Sequence, residues 1–318
     1  MLEILQADTP PGAGASVCPA HGMRVALPSS VAQLEGRHPC YSFTAGGHQR
    51  SGRLHVPVSP ACNIRCRFCR REFNRMEQRP GVARRLVAPS EAVGIVERAL
   101  TLCPAIRVIG IAGPGDTLAT GHAIRTFALV HARFPDLVNC LSTNGLLLEE
   151  KSEQLVEAGV RTVTVTVNAV HPSILERICR GIVLRGERLK GIAAAKALIA
   201  NQLRGIRRVT RLGAVVKVNT VLIPGVNEEH IGTVAAAVAA AGASLINVIP
   251  LIPAHELAHI PAPDFIQVHD ARAAAEKHLT VFTHCHRCRA DACGIPGETD
   301  LASRVYGEPV AASAFSHG

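Results

Sequence analysis

Six short apolar, β-branched runs recur along the chain: RLHVPV (53–58), IRVIGIA (106–112), VNCLS (138–142), RTVTVTVNAV (161–170), AVVKVNTVLI (214–223) and LINVIPL (245–251). Each has strand length, and the stretches between them leave room for a helix. Ser90 stands where an N-cap would open EAVGIVERAL, and EEKSEQLVEAG and ERLKGIAAAKALIANQLRG end at Gly159 and Gly205 in C-cap position. A further helix, DFIQVHDARAAAEKH, follows Pro263. Strands alternating with helices predict βαβ units around a parallel sheet. The runs mostly lack polar alternation, so strands buried on both faces are expected. A partial or full β/α barrel and a doubly wound sheet both fit. Either puts a ligand at the carboxyl ends of the strands, where AGPGD, STNG, NAVHP and IPGVN follow the second to fifth runs.

Composition narrows the class. With 318 residues and 47% hydrophobic content, one large domain with short appendages is expected. The longest Ala/Val stretch, IGTVAAAVAAAGASLINVIP, is broken by Gly and polar residues and reads as a buried helix followed by a strand, so no membrane span is expected. The net charge of +9 suits an anionic small molecule or cluster; with 3% aromatics and no Trp, platforms for stacking nucleic acid are scarce. Eleven cysteines come without an N-terminal apolar signal segment, which predicts reduced thiols in a cytoplasm and metal before disulfides.

The densest chemistry is SPACNIRCRFCRREF (59–73), which sets Cys62, Cys66 and Cys69 in a CxxxCxxC array directly after the first strand. Three thiolates suit a four-iron cluster with one open iron. A zinc knuckle completed by a distant residue is the alternative. Arg65, Arg67, Arg70 and Arg71 surround the array and are expected to lower the thiol pKa values. In AGPGD, the residues Gly113, Pro114, Gly115 and Asp116 offer close backbone approach and a carboxylate for an ammonium.

That loop, with Phe68 just before its last cysteine and AGPGD after the second strand, resembles the radical S-adenosylmethionine (SAM) superfamily. HPC (38–40), RLHVPVSPACNIRC, EQRPGV (77–82), CLSTNG, VTVTVNAV, VNTVLIPGVN and HCHRCRADACG extend the resemblance over about residues 37 to 298 to the NifB family, which builds the iron–sulfur precursor of nitrogenase cofactor. The resemblance implies a partial (β/α) barrel of about six parallel strands, with an N-terminal extension over 1–36, the barrel over 37–283, a Cys-rich tail over 284–298 and a flexible end over 299–318. It also implies a stand-alone form without a carrier domain. The implied reaction fuses two [4Fe–4S] clusters around a carbide from a SAM methyl group and adds a sulfide. One SAM serves methyl transfer; another is cleaved reductively to a radical.

By the same resemblance, Cys62, Cys66 and Cys69 hold the cluster that chelates SAM. Cys40, His55 and Cys140 hold one substrate cluster, and Cys285 and Cys288 the other. Glu77 stands near the clusters, while Asn144, Asn168 and Asn219 at strand ends read the ribose and carboxylate of SAM. Implied partners are iron–sulfur donor proteins, an electron donor such as ferredoxin or flavodoxin, and a carrier or scaffold for the product, with no nucleic acid and no membrane. The chain departs from the family in lacking a cysteine within FNRMEQ, in two extra residues between HPC and RLHVP, in Thr120 and in the added Cys293. A radical SAM enzyme for an organic substrate with an auxiliary cluster, or an iron–sulfur carrier, remains the alternative.

Overall fold

The structure, a computed structural model, describes residues 29–43 and 50–307. All six expected strands are present: β1 (Gly52–His55), β2 (Ile106–Ile111), β3 (Val138–Thr143), β4 (Val160–Thr166), β5 (Val215–Leu222) and β6 (Leu245–Pro250). Two short strands extend the sheet: β7 (Thr280–Val281) runs parallel to β6, and β8 (Cys293–Gly294) antiparallel to β1. The order β7-β6-β5-β4-β3-β2-β1-β8 steps from β1 to β7 without reversal. Right-handed crossovers in one direction put their helices on one face of a parallel sheet, whereas a doubly wound sheet requires the order to reverse. The architecture is therefore a partial (β/α) barrel.

The strands are two-faced, which corrects the expectation that they lack polar alternation. Ile109, Leu141, Val163, Val216, Val218, Ile246 and Val248 are fully buried in the core shared with the helices. The alternate residues Gly110, Cys140, Ser142, Thr164, Lys217, Asn219 and Asn247 line an internal cavity. A period of two thus separates packing from chemistry along each strand. At the amino ends of the strands, Val108, Val138, Val215 and Leu245 pack against Val31, Leu34 and Tyr41 of the segment 29–43. That segment plugs the barrel and carries Cys40 into it.

Three helix boundaries differ from expectation. The helix after Ser90 is preceded by a 3-10 turn, Pro89–Glu91, so Ser90 caps nothing; Glu91 instead accepts from the Ala88 N–H at 2.8 Å. The helix expected to stop at Gly205 runs Gly191–Arg211. Gly205 is there for packing, since a Cβ would lie 2.7 Å from the Leu148 Cβ of the neighbouring helix Leu148–Glu157. The ERLK that was to open that helix is a strand, Glu187–Lys190, paired with Cys179–Leu184 in a hairpin. Its turn places Arg185 and Gly186 at φ 51° and 83°, as a two-residue hairpin loop demands. This hairpin pairs antiparallel with the loop strand Ile64–Cys66. The chain beyond 299 begins with a packed helix, Ala302–Tyr306, whose Tyr306 hydroxyl donates to the His55 carbonyl. Residues 1–28 and 308–318, which include Cys18 and most of the expected extension and end, lie outside the described residues.

Candidate metal centre

The three-cysteine loop leaves the carboxyl end of β1 and is held from outside by the hairpin, through the Cys66–Cys179 strand pair. Cys62 is buried, and Cys66 and Cys69 are half-buried. Of the four arginines only Arg71 turns inward. It is buried and acts electrostatically on all three thiols. Arg67 pairs with Glu256 and Arg70 with Glu72, while Arg65 is exposed. The expected lowering of thiol pKa values does not hold for Cys62 and Cys66. Burial pushes the Cys62 thiol up against the pull of Arg71, and Cys66 is raised by the neighbouring Cys179 thiol and then by burial.

The turn after β2 packs against the entry to this loop. Gly115 donates to the Ser59 carbonyl and Asp116 to the Ala61 carbonyl, both at 2.8 Å. A Cβ at Gly115 would lie 2.1 Å from the Ala61 oxygen, so only glycine fits that approach. Gly113 takes φ 132° and a cis bond joins it to Pro114. The buried Asp116 carboxylate accepts from Leu118 N–H (2.9 Å), the Thr143 hydroxyl (2.9 Å) and Asn144 N–H (2.6 Å). These residues brace the loop against β2 and β3.

The three asparagines divide. Asn144 is at the loop: its amide donates to Asn63 Oδ1 at 2.7 Å and lies 3.9 Å from Cys62 Sγ. Asn168 is a backbone brace, accepting from Val221 N–H at 2.9 Å. Asn219 lines the internal cavity and accepts from Asn247 at 3.1 Å.

That cavity gathers Cys40, His55, Cys140, Cys285 and Cys288, every residue expected to hold a substrate cluster. The plug supplies Cys40, β1 and β3 supply His55 and Cys140, and the tail supplies Cys285 and Cys288. His55 Nδ1 lies 2.8 Å from the Arg289 carbonyl. A carbonyl only accepts, so Nδ1 carries the proton and the Nε2 lone pair is free to ligate. Burial, and next Arg53, hold the imidazole down at about 4, neutral and ready for metal. Burial raises Cys140 to about 11 and also raises Cys40. Three buried polar atoms on the cavity residues have no partner: His38 Nε2, Arg53 Nε and Asn247 Oδ1. Among the described residues no three His, Cys, Asp or Glu side chains gather as around a single metal ion.

The loop and the cavity are joined by β3. Cys140, Ser142 and Asn144 recur at period two, with the first two in the cavity wall and the third at Cys62. At about 3.3 Å per residue the backbone span from Cys140 to Asn144 is about 13 Å.

The family model of the radical SAM superfamily matches residues 56–238. Over 282 residues the chain is 37% identical to the FeMo cofactor biosynthesis protein NifB of Methanocaldococcus infernus, covering 88% of this chain and 92% of that protein. Methanocaldococcus jannaschii NifB is 38% identical, with 88% and 93% covered. Klebsiella pneumoniae NifB is 43% identical over 281 residues, 86% of this chain, which spans 60% of that longer protein. The chain belongs to the NifB family of radical SAM enzymes.

Membership in the NifB family implies a [4Fe–4S] cluster and SAM. The donor set fits: three thiols from one loop act electrostatically on a buried guanidinium whose Nη1 has no partner, an arrangement suited to an anionic cluster. Glu77, expected near the clusters, turns its half-exposed carboxylate to Arg79 (2.7 Å) and Asn74 (3.1 Å), while its neighbour Pro80 lines the cavity. Burial opposes ionisation there, but the bonds from Asn74 and Arg79 prevail and lower its pKa. In FNRMEQ, Asn74 caps the Met76 and Glu77 N–H groups at 3.1 and 3.0 Å. Arg289 clamps that segment to the tail by donating to the Asn74 and Glu77 carbonyls, both at 2.6 Å. The added Cys293 is buried in β8 and pushed up to about 12, chiefly by burial, which makes it a packing residue.

Sequence reasoning missed His38, Lys217, Asn247 and Arg289. His38 had a signal in HPC; Arg289 sat within HCHRCRADACG. Lys217 and Asn247 lay inside runs read as mostly lacking polar alternation. No described helix is long and apolar enough to cross a membrane.

Proposed function

We propose that this chain fuses two [4Fe–4S] substrate clusters into an eight-iron core, with a SAM methyl carbon becoming the central carbide and one sulfide added. The convergence of Cys40, His55, Cys140, Cys285 and Cys288 on one cavity, joined by β3 to the three-cysteine loop, carries this reading. A single auxiliary cluster would not call for ligands from the plug, the sheet and the tail around a shared space.

When bound at Cys62, Cys66 and Cys69, a cluster with an open iron supplies SAM chelation and the electron for lyase-type cleavage. The chain's own residues set the rest. Arg71 places a fixed positive charge among the loop thiols. Asn144 positions Cys62, and Asp116 holds Asn144 through its backbone N–H. At the other centre the Arg289 carbonyl selects the His55 tautomer that ligates through Nε2. A neutral imidazole is a more readily released ligand than a thiolate, which suits a substrate that must leave. Iron–sulfur donor proteins, a ferredoxin- or flavodoxin-like reductant and an accepting carrier complete the cycle.

Anaerobic reconstitution tests the reading. About twelve irons per chain are expected, four at the loop and eight in the cavity. With SAM and reductant, both S-adenosylhomocysteine and 5′-deoxyadenosine should form. About four irons, or one nucleoside product alone, would contradict it.

A further inference from the structure

Lys217 is 5% exposed, on the inner face of β5, and lines the cavity together with Cys40, Cys140 and Cys285. Its ammonium acts electrostatically on the Cys40 thiol and lies 5.1 Å from the Phe282 ring centroid and 5.8 Å from that of Tyr41. No carboxylate among the described residues pairs with it; the groups that favour its charge are the thiols of Cys40, Cys285 and Cys140. A buried lysine without a carboxylate is uncommon, because two ring faces and a thiol do not replace its hydration shell. The same cavity holds His38 Nε2 and Arg53 Nε without partners. The His38 Nδ1 accepts from the Cys40 N–H at 3.1 Å, so its Nε2 carries the proton and is a donor. Unspent positive charge and N–H groups therefore face a space ringed by thiols.

We propose that Lys217 is the positioning residue for the iron–sulfur substrate, a fixed cation between Cys40, Cys140 and Cys285 that holds both anionic thiolate-bound clusters in the cavity. The inference rests on the cluster-fusion reading and adds what selects the cargo. Charges and hydrogen bonds at the sulfurs govern both retention and reduction potential of a cluster. A cavity with ligands alone takes iron or zinc indifferently; with a central ammonium it favours an assembled anionic cluster over a bare dication.

The test compares Lys217→Met and Lys217→Arg with the wild-type chain, all reconstituted anaerobically with iron and sulfide. An apolar side chain of similar length in a buried charged position usually leaves folding intact, so the metal-free Met variant should keep its melting temperature. Its iron content should fall to about one third of the wild-type value, the share of the loop cluster, while the Arg variant recovers more than half of the loss. The cavity signal retained by Lys217→Arg should also keep a reduction potential close to wild type. A Met variant that fills to the wild-type level at an unchanged potential, or that fails to fold without metal, overturns the inference alone. A wild-type chain that stops at the loop's share overturns the cluster-fusion reading and this inference with it.

Discussion

The imidazole of His55 rests on Gly110 of the neighbouring strand so closely that a Cβ at Gly110 would come within 2.6 Å of His55 Cδ2 and 3.1 Å of Nε2. β1 and β2 pair in register with His55 opposite Gly110. The absent side chain is what lets the ring lie flat, with Nδ1 on the Arg289 carbonyl and Nε2 toward the cavity.

Gly110→Ala should therefore displace the ring and break the 2.8 Å bond to Arg289. The expected stability cost is about 1–3 kcal/mol, typical of overpacking. Iron content should fall by more than the loss of folded protein explains, while the loop cluster keeps its spectrum. Equal iron in variant and wild type would show that His55 does not ligate.

Arg71 makes a second, separable prediction. A hydrogen bond to a charged group contributes about 1.5–3 kcal/mol, so Arg71→Met should weaken retention of the loop cluster by about 10- to 100-fold in chelator competition. Arg71→Lys, a point charge without the planar fork, should fall between. If Arg71→Met retained the cluster as the wild type does, its charge would be irrelevant to the loop.

How much of this was legible in the sequence differs by kind of residue. The six strands and the cysteine loop announce themselves because apolar runs and CxxxCxxC are local patterns. Lys217 does not, since VKVNT reads as an apolar strand and only the barrel's curvature decides which face is inside. Asp116 stands out in AGPGD as a carboxylate, while the strand packing that gives it three donors is non-local. Gly205 imitated a helix cap because a glycine demanded by a neighbouring helix and one demanded by a left-handed turn are spelled alike.

Cys179 illustrates the same limit and yields a third prediction. It is the cross-strand partner of Cys66, and its thiol donates to the Gly181 carbonyl at 3.4 Å. Paired residues on antiparallel strands lie about 4.5–5.5 Å apart at Cα, within the span a disulfide accepts. In metal-free protein, oxidised glutathione should convert the two thiols to a disulfide, taking up their two electrons and two protons as it becomes two reduced molecules. Peptide mapping should find Cys66 joined to Cys179, and Cys179→Ser should abolish the link. With the loop cluster in place Cys66 is engaged and no cross-link should form. A map showing Cys66 joined to Cys69 instead would contradict the pairing.

The central claim is that SAM carbon ends in an iron–sulfur product. The direct measurement is to reconstitute the chain anaerobically, add SAM labelled in its methyl carbon together with a reductant, and follow the label. The account predicts label in the protein-bound cluster, released only when the cluster is dissolved in acid, and absent from a Cys140→Ala variant. Label recovered solely in methionine or in a methylated small molecule, with none in the cluster, would contradict it.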